Sequence, residues 1–198
     1  MRFVAVLFAL LLAADLLART AEEPKLLSRV TPLPVALDSD FQFRKTKLYF
    51  LSERAPGQTG RGEQATPTTG KGGKLSSTAP SSKSTTVQDA SITFERQYRL
   101  FGAVTKLDQR ERFGNYFDFF WRAKRPANVT VRLEYRQEKL HAHVQAQEIS
   151  YPNVHSNHKT EFKVVGDDYF DDGRVIAWRC LLIENGKIVA ENRSYTWE

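Results

Sequence analysis

The residues best suited to hold a metal ion are four histidines within eighteen positions of the chain: His141, His143, His155 and His158. The first two are spaced i, i+2, which places both side chains on one face of a strand. The last two are spaced i, i+3 in the loop expected to follow. Imidazole pairs on neighbouring elements can bind Zn or Cu. A metal-binding module is therefore one interpretation, and surface histidines on the polar face of a strand are the other.

The segment 166–173 is rich in carboxylates and begins and ends with glycine. Calcium prefers oxygen-rich loops of this kind, but the alternating ligand spacing of an EF-hand is absent and no glutamate closes the segment. We interpret it as an acidic turn between strands, because the two glycines permit unusual backbone angles. The calcium ligands under the alternative interpretation are Asp167, Asp168, Asp171 and Asp172.

The chain carries no catalytic motif of the hydrolase, metalloprotease or dinucleotide-binding type. Carboxylates in a solvated turn keep ordinary pKa values, whereas a general acid needs a raised pKa. The single cysteine, Cys180, alternates with Trp178 and Leu182, which predicts a buried, unreactive thiol. We therefore expect a non-enzymatic protein without a cofactor. A hydrolase whose site is assembled across several strands is an alternative.

Aromatic side chains are concentrated in the segment 116–121 and near the C-terminus. Successive residues of a strand point to opposite faces, so this segment carries rings on both faces and needs cover on both. Either the segment 41–52 packs over Phe120 or a partner covers it. We predict an interaction surface for a protein or glycan partner, made of four residues: Tyr116, Phe120, Tyr195 and Trp197.

Apolar and polar residues alternate over much of the last hundred positions, most clearly in 128–136. This period of two is typical of half-buried antiparallel strands, and the same pattern predicts strands at 92–100 and 140–146. Asn185-Gly186 predicts a type I′ hairpin turn between the last two strands. The sequence therefore predicts an all-β fold, a two-sheet antiparallel sandwich of about seven strands, with no helix after the N-terminal segment.

The segment 171–180 and the hairpin after it resemble the acidic turn and last two strands of immunoglobulin-like domains. Trp178 stands two positions before Cys180, where those domains often place a corner aromatic. The partner cysteine on an earlier strand is missing, so the disulfide of that family is not reproduced. The resemblance implies a sandwich of the immunoglobulin or fibronectin type, and it implies no activity.

The N-terminus has the features of a secretory signal. Met1-Arg2 precedes an apolar run at 3–14, which is too short for a bilayer-spanning helix. We predict a signal peptide at 1–21, with an uncleaved anchor as the alternative. The rest of the chain divides into an extended segment (22–39), a strand that joins the sheet (40–52), a flexible linker or insertion rich in Gly, Ser, Thr and Pro (53–90) and the β domain (91–198).

The net charge of +6 is spread evenly, with +2 in each of the segments 1–52, 53–90 and 91–198. This distribution gives no basic stripe for phosphate groups, so we expect no nucleic-acid partner. We predict a secreted, periplasmic or cell-envelope protein that binds or supports another component there. We expect no transmembrane segment beyond the N-terminal signal.

Overall fold

The structure, a computed structural model, describes residues 23–53 and 83–197, in which strand is the predominant secondary structure. The predicted signal and residues 54–82 of the predicted linker lie outside the described residues. The described elements are, in chain order, β1 (Lys25–Leu27), β2 (Phe41–Leu51), α1 (Lys83–Leu100), α2 (Lys106–Arg110), β3 (Gly114–Gln137), β4 (Gln145–Val165), α3 (Asp167–Asp172), β5 (Val175–Glu184) and β6 (Lys187–Arg193).

The described strands form one antiparallel sheet of six strands in the order β1–β4–β3–β5–β6, with β2 also paired to β3. The long strands β3 and β4 pair along their whole length. Strands β2 and β5 share the other edge of β3: β2 pairs with its first half (114–123) and β5 with its second half (130–137). The predominantly β, antiparallel character predicted from the sequence is confirmed.

Strand β3 changes direction between its two halves. The register with β4 shifts between Ala123 and Val129, and bulges of this kind bend a strand. Pro126 lies in the same stretch and has no N–H to donate to the ladder. Arg125 holds the bend in place through ion pairs with Asp38 and Glu184, at 3.2 and 2.6 Å.

Side chains from both halves of the bent strand β3 contribute to one core. The Trp178 ring on β5, which pairs with the second half of β3, lies 5.4 Å from the Phe119 ring on the first half. Phe117, Phe119 and Trp121 are buried on this inner face, as the alternation in the sequence predicts. The buried Cys180 belongs to the same core.

The predicted strand at 92–100 is wrong, because these residues are the last part of helix α1. The expectation of no helix after the N-terminal segment is therefore also wrong. Only a few apolar residues carry a period of two here. Phe94, Tyr98 and Phe101 also fit the i, i+4, i+7 spacing of one helix face.

The predicted strand at 140–146 is wrong as well, since β4 begins only at Gln145 and the residues before it form a turn. His141 has a positive φ of 52°, which a strand does not permit. The hairpin between β5 and β6 agrees with the sequence. Asn185 and Gly186 both have positive φ, at 50° and 73°, as a type I′ turn requires.

Residues 28–38, which we call the N-terminal arm, cross the outer face of the second half of the sheet. The arm starts after β1, at the edge of β4, and ends beside β6, where Ala36 N donates to Ile188 O at 2.8 Å. Between these points Leu33 packs on an apolar cluster that includes Leu181. Arg132 Nη1 donates to Thr31 O at 3.3 Å. The arm therefore covers polar and apolar side chains of this face.

Candidate functional site

The four residues predicted as an interaction surface do not lie together at the surface. Tyr116 is buried beneath α1, and Trp197 is 7% exposed. Tyr195 is fully exposed, and Phe120 is half-buried. The single surface predicted from these residues is therefore wrong, because it assumed that the last strand runs through Trp197, whereas β6 ends at Arg193.

Phe120 is flanked by charged side chains of the neighbouring strands. The Lys47 and Lys159 ammonium groups lie 5.9 and 5.8 Å from the centre of its ring. Strand β2 runs beside Phe120 in the sheet, with Lys45 opposite it, and does not pack over it. Cover for this ring therefore comes from the lysines on either side.

The histidines are not assembled into a metal site. His141 and His143 lie in the turn before β4, so the expected pair on one strand face is wrong. His158 stacks on Trp121 at 4.9 Å, and its Nε2 lies 3.1 Å from the carbonyl oxygen of His155. In the part of the chain that the structure describes, no three His, Cys, Asp or Glu side chains come together around a possible ion.

The acidic segment forms the short helix α3 where a turn was expected. Asp167 forms an ion pair with Arg110 at 2.6 Å. Burial, followed by the neighbouring aspartates, raises the pKa of Asp168 above its ordinary value. The aromatic residue Phe170 of this helix packs against Phe113. The segment thus helps to close one end of the sheet.

Cys180 is wholly buried, and burial raises the pKa of its thiol well above the ordinary value. A thiol without access to solvent is a poor nucleophile, because the thiolate is the reactive form. Its surroundings are those of a core residue.

Helix α1 forms a surface other than the one predicted from the sequence. The helix packs on the sheet through charged side chains. The Arg99 guanidinium lies 4.0 Å from the centre of the Tyr116 ring and 5.4 Å from that of Tyr49. Arg96 donates to the carbonyl oxygens of Ser52 and Glu53, at 2.6 and 3.1 Å. These contacts fix the side of the helix that faces the sheet.

The other side of α1, with the residue that follows the helix, presents aromatic rings to solvent. Phe94, Tyr98 and Phe101 are 65%, 67% and 84% exposed, and we call them the aromatic stripe. The Phe94 and Tyr98 rings stack with their centres 6.5 Å apart and their planes inclined by 13°. Val104 and Leu107, just beyond, are also exposed. A surface helix ordinarily turns its apolar side to the core. Over residues 92–100, α1 instead places Arg96 and Arg99, together with Leu100, on the sheet and leaves aromatic rings in solvent.

A cleft of about 590 Å³ lies between α1 and the outer face of the first half of the sheet, and we call it the helix cleft. Tyr98 and Phe101 form part of its wall, so the cleft is continuous with the aromatic stripe. Its charged lining residues are Lys47, Glu95, Arg99, Glu111, Arg112, Asp118, Lys159, Glu161 and Lys163.

Most carboxylates of the helix cleft already have a cationic partner. Glu95 lies 3.6 Å from Arg99, and Lys159 pairs with both Asp118 and Glu161. The hydrogen bond from Lys159 lowers the pKa of Glu161 below its ordinary value. Lys47 and Lys163 have no carboxylate within 4.0 Å in the described part of the chain. The cleft can therefore accept an additional anionic group.

Sequence reasoning identified the aromatic side chain of Tyr116 but missed the helix that covers it. The signal that could have revealed the stripe is the helical spacing of Phe94, Tyr98 and Phe101. The helix cleft depends on how α1 docks on β2 and β3, which no local pattern encodes.

The chain matches no protein-family model, and neither the curated proteins nor the solved structures give a significant match. Among the described residues there is no helix with the length and hydropathy of a bilayer-crossing segment.

Proposed function

We propose that this chain is an exported, non-enzymatic binding protein that engages a protein partner outside the cytoplasm through the aromatic stripe and the helix cleft. One observation carries the proposal. Arg96 and Arg99 of helix α1 pack on the sheet, whereas Phe94 and Tyr98 of the helix and Phe101 just after it lie in solvent.

Exposed rings of this kind are costly unless something covers them. Burying one large apolar side chain contributes about 1.5–3 kcal/mol. Contiguous apolar patches on soluble proteins mark interaction sites, and aromatic residues and arginine are enriched at the centres of protein interfaces. The stripe, with Arg99 and Tyr116 behind it, has this composition.

The charge of the helix cleft indicates the chemistry of the partner. Two cations of the cleft, Lys47 and Lys163, lie on strands of the sheet. Neither has a carboxylate within 4.0 Å among the described residues. A partner segment that places apolar side chains on the stripe can direct a carboxylate toward these two lysines. We therefore expect an apolar segment that carries at least one acidic residue.

Export is part of the same proposal and rests on the apolar run at 3–14. A sandwich of the immunoglobulin or fibronectin type is likewise proposed for the β domain. Its support is that Trp178 of β5 packs against Phe119 of the first half of β3 and that Cys180 of β5 lies in the same core.

The proposal can be tested with a photo-crosslinking phenylalanine analogue placed at Phe101 in the full chain, in cells that export it. Tyr195 is the matched control position, because it is fully exposed but distant in the chain from the stripe. We expect one protein to be crosslinked from position 101 and not from position 195. The double variant Lys47→Glu, Lys163→Glu should reduce that crosslink at least fivefold.

The charge-matched control is the double variant Lys25→Glu, Lys187→Glu, which alters two exposed lysines that do not line the cleft. It should leave the crosslink unchanged. A product that forms equally from both positions, or that charge reversal in the cleft does not weaken, would overturn the proposal. A product containing only a second copy of the chain, lipid or glycan would also contradict it.

A further inference from the structure

The aromatic stripe follows the axis of helix α1. Phe94 and Tyr98 are one helical turn apart, and Phe101 directly follows the last residue of the helix. The three rings therefore have the i, i+4, i+7 spacing, and at 1.5 Å per residue the row is about 10 Å long. Exposed Val104 and Leu107 come next in the chain. Side chains with this spacing are those that meet when two helices pack along their length.

The main chain beneath the stripe has no free hydrogen-bonding groups to offer an occupant. Helix α1 bonds its N–H and C=O groups within itself, and just after the helix Phe101 N donates to Tyr98 O at 3.3 Å. An extended segment laid on the rings would lose water from those of its own N–H and C=O groups that face the stripe. Each such group costs about 1–3 kcal/mol when it finds no partner. A helix satisfies these groups internally, so the stripe favours a helical occupant.

The unpaired charge of the helix cleft is positive. Lys47, Arg112 and Lys163 have no carboxylate within 4.0 Å among the described residues. Glu111 is the one carboxylate of the cleft without a cationic partner in the same part of the chain. Arg112 also donates to the carbonyl oxygen of Phe101, which places its positive charge at the end of the stripe. Charge complementarity therefore favours acidic side chains on the side of the occupant that faces the cleft.

We infer that the aromatic stripe binds an amphipathic helix of the partner protein. The helix lies along α1, with its apolar side on the rings and acidic side chains over the helix cleft. This inference rests on the proposed function for the existence of a protein partner, and it adds the secondary structure and charge of the segment that is bound.

Two fluorescently labelled peptides of identical composition test the secondary structure of the occupant. Each contains eighteen residues of Leu, Ala and Glu. The helical probe has Leu at i, i+3, i+4 and i+7 with Glu along one flank, and the strand probe has Leu at every second position. Fluorescence anisotropy follows each peptide during titration with the full chain. We expect the helical probe to bind at least tenfold more tightly than the strand probe, and to lose at least tenfold when a central residue is replaced by proline.

Substitutions in the full chain test the place and the charge of binding. Tyr98→Ser should weaken binding of the helical probe at least tenfold. The matched control Tyr195→Ser removes another exposed tyrosine and should leave the affinity unchanged. A helical probe with Lys in place of Glu should bind at least fivefold more weakly, and the double variant Lys47→Glu, Lys163→Glu should reverse that preference.

The inference fails if the helical and strand probes bind equally well, or if Tyr98→Ser does not weaken the helical probe. It also fails if Tyr98→Ser abolishes self-association of the full chain or its binding to vesicles of anionic phospholipid, because a second copy or a lipid surface would then cover the rings. The crosslink from Phe101 tests the proposed function separately. A protein crosslink from that position together with equal probe affinities would retain the proposed function and reject the helix.

Discussion

At the scale of single residues, two aromatic side chains near the C-terminus have opposite environments. Tyr195 is fully exposed, whereas Trp197 lies between the guanidinium groups of Arg136 and Arg179, at 4.8 and 5.1 Å from its ring centre. We expect Trp197→Ser to lower the free energy of unfolding by about 2–4 kcal/mol, through lost burial and lost cation–π contacts. Urea denaturation measures this loss.

Tyr195→Ser is the control for that substitution, because it removes an aromatic ring that touches solvent on all sides. It should change the free energy of unfolding by less than about 0.5 kcal/mol. Similar, small losses for both variants would show that Trp197 is not a core residue. A large loss for both would show that Tyr195 has contacts in solution that its exposure here does not indicate.

The ion pair between Glu161 and Lys159 gives a pH dependence at the same scale. The hydrogen bond from the Lys159 side chain lowers the pKa of Glu161 below its ordinary value. A carboxyl group with a lowered folded-state pKa contributes stability above its unfolded pKa and loses that contribution as the pH falls through its folded-state pKa. We expect the melting temperature of the wild type to exceed that of Glu161→Gln at about pH 6 and to match it at about pH 2–3. A constant difference across this range would contradict the pairing.

At the scale of the elements, the sequence pattern correctly predicted the strands and the turn whose backbone geometry depends on local chemistry. The alternation in 128–136 and the Asn185-Gly186 turn both lead to the observed strands, because each pattern fits one backbone geometry. The segment 92–100 fits both a period of two and the spacing of a helix face. Its conformation is decided by the docking of Arg96 and Arg99 on the sheet, which is a tertiary contact.

The start of β3 depends on a glycine for a reason that the local pattern does not reveal. Gly114 has a φ of +140°, and a Cβ there would lie 2.2 Å from the carbonyl oxygen of Val164 on β4. We expect Gly114→Ala to force β3 and β4 apart and to destabilise the fold by more than the ~1 kcal/mol typical of a left-handed backbone position alone. Thermal unfolding measures the loss.

Gly186 supplies the comparison for that variant. Its φ is also positive, at +73°, but a Cβ there meets no atom within 4 Å. Gly186→Ala should therefore show only the conformational cost, about 1 kcal/mol. Equal losses for the two variants would mean that the close approach of β4 to Gly114 does not constrain the fold.

At the scale of the whole molecule, the sheet is organised by contacts that join distant parts of the chain. Arg125 at the bend binds Asp38 at the end of the N-terminal arm and Glu184 at the end of β5. These separations are 87 and 59 residues. A pattern of alternating residues predicts strands and their faces but not which strands meet. For that reason the sequence led to an antiparallel β fold, and neither the bend nor the helix cleft could be anticipated.

The N-terminal arm is held to the sheet by few contacts, so we expect it to open separately from the core. Ala36 N and Asp38 N donate hydrogen bonds to β6, and Ile188 N of β6 donates one to Pro34 O of the arm. The apolar contact of the arm is Leu33 on the cluster around Leu181. Segments with few buried apolar contacts open at lower free energy than core strands. Leu33→Ser should therefore accelerate hydrogen exchange at Ala36 and Asp38 while leaving the amides of β3 unchanged. Equal acceleration in β3 would mean that arm and sheet unfold as one cooperative unit.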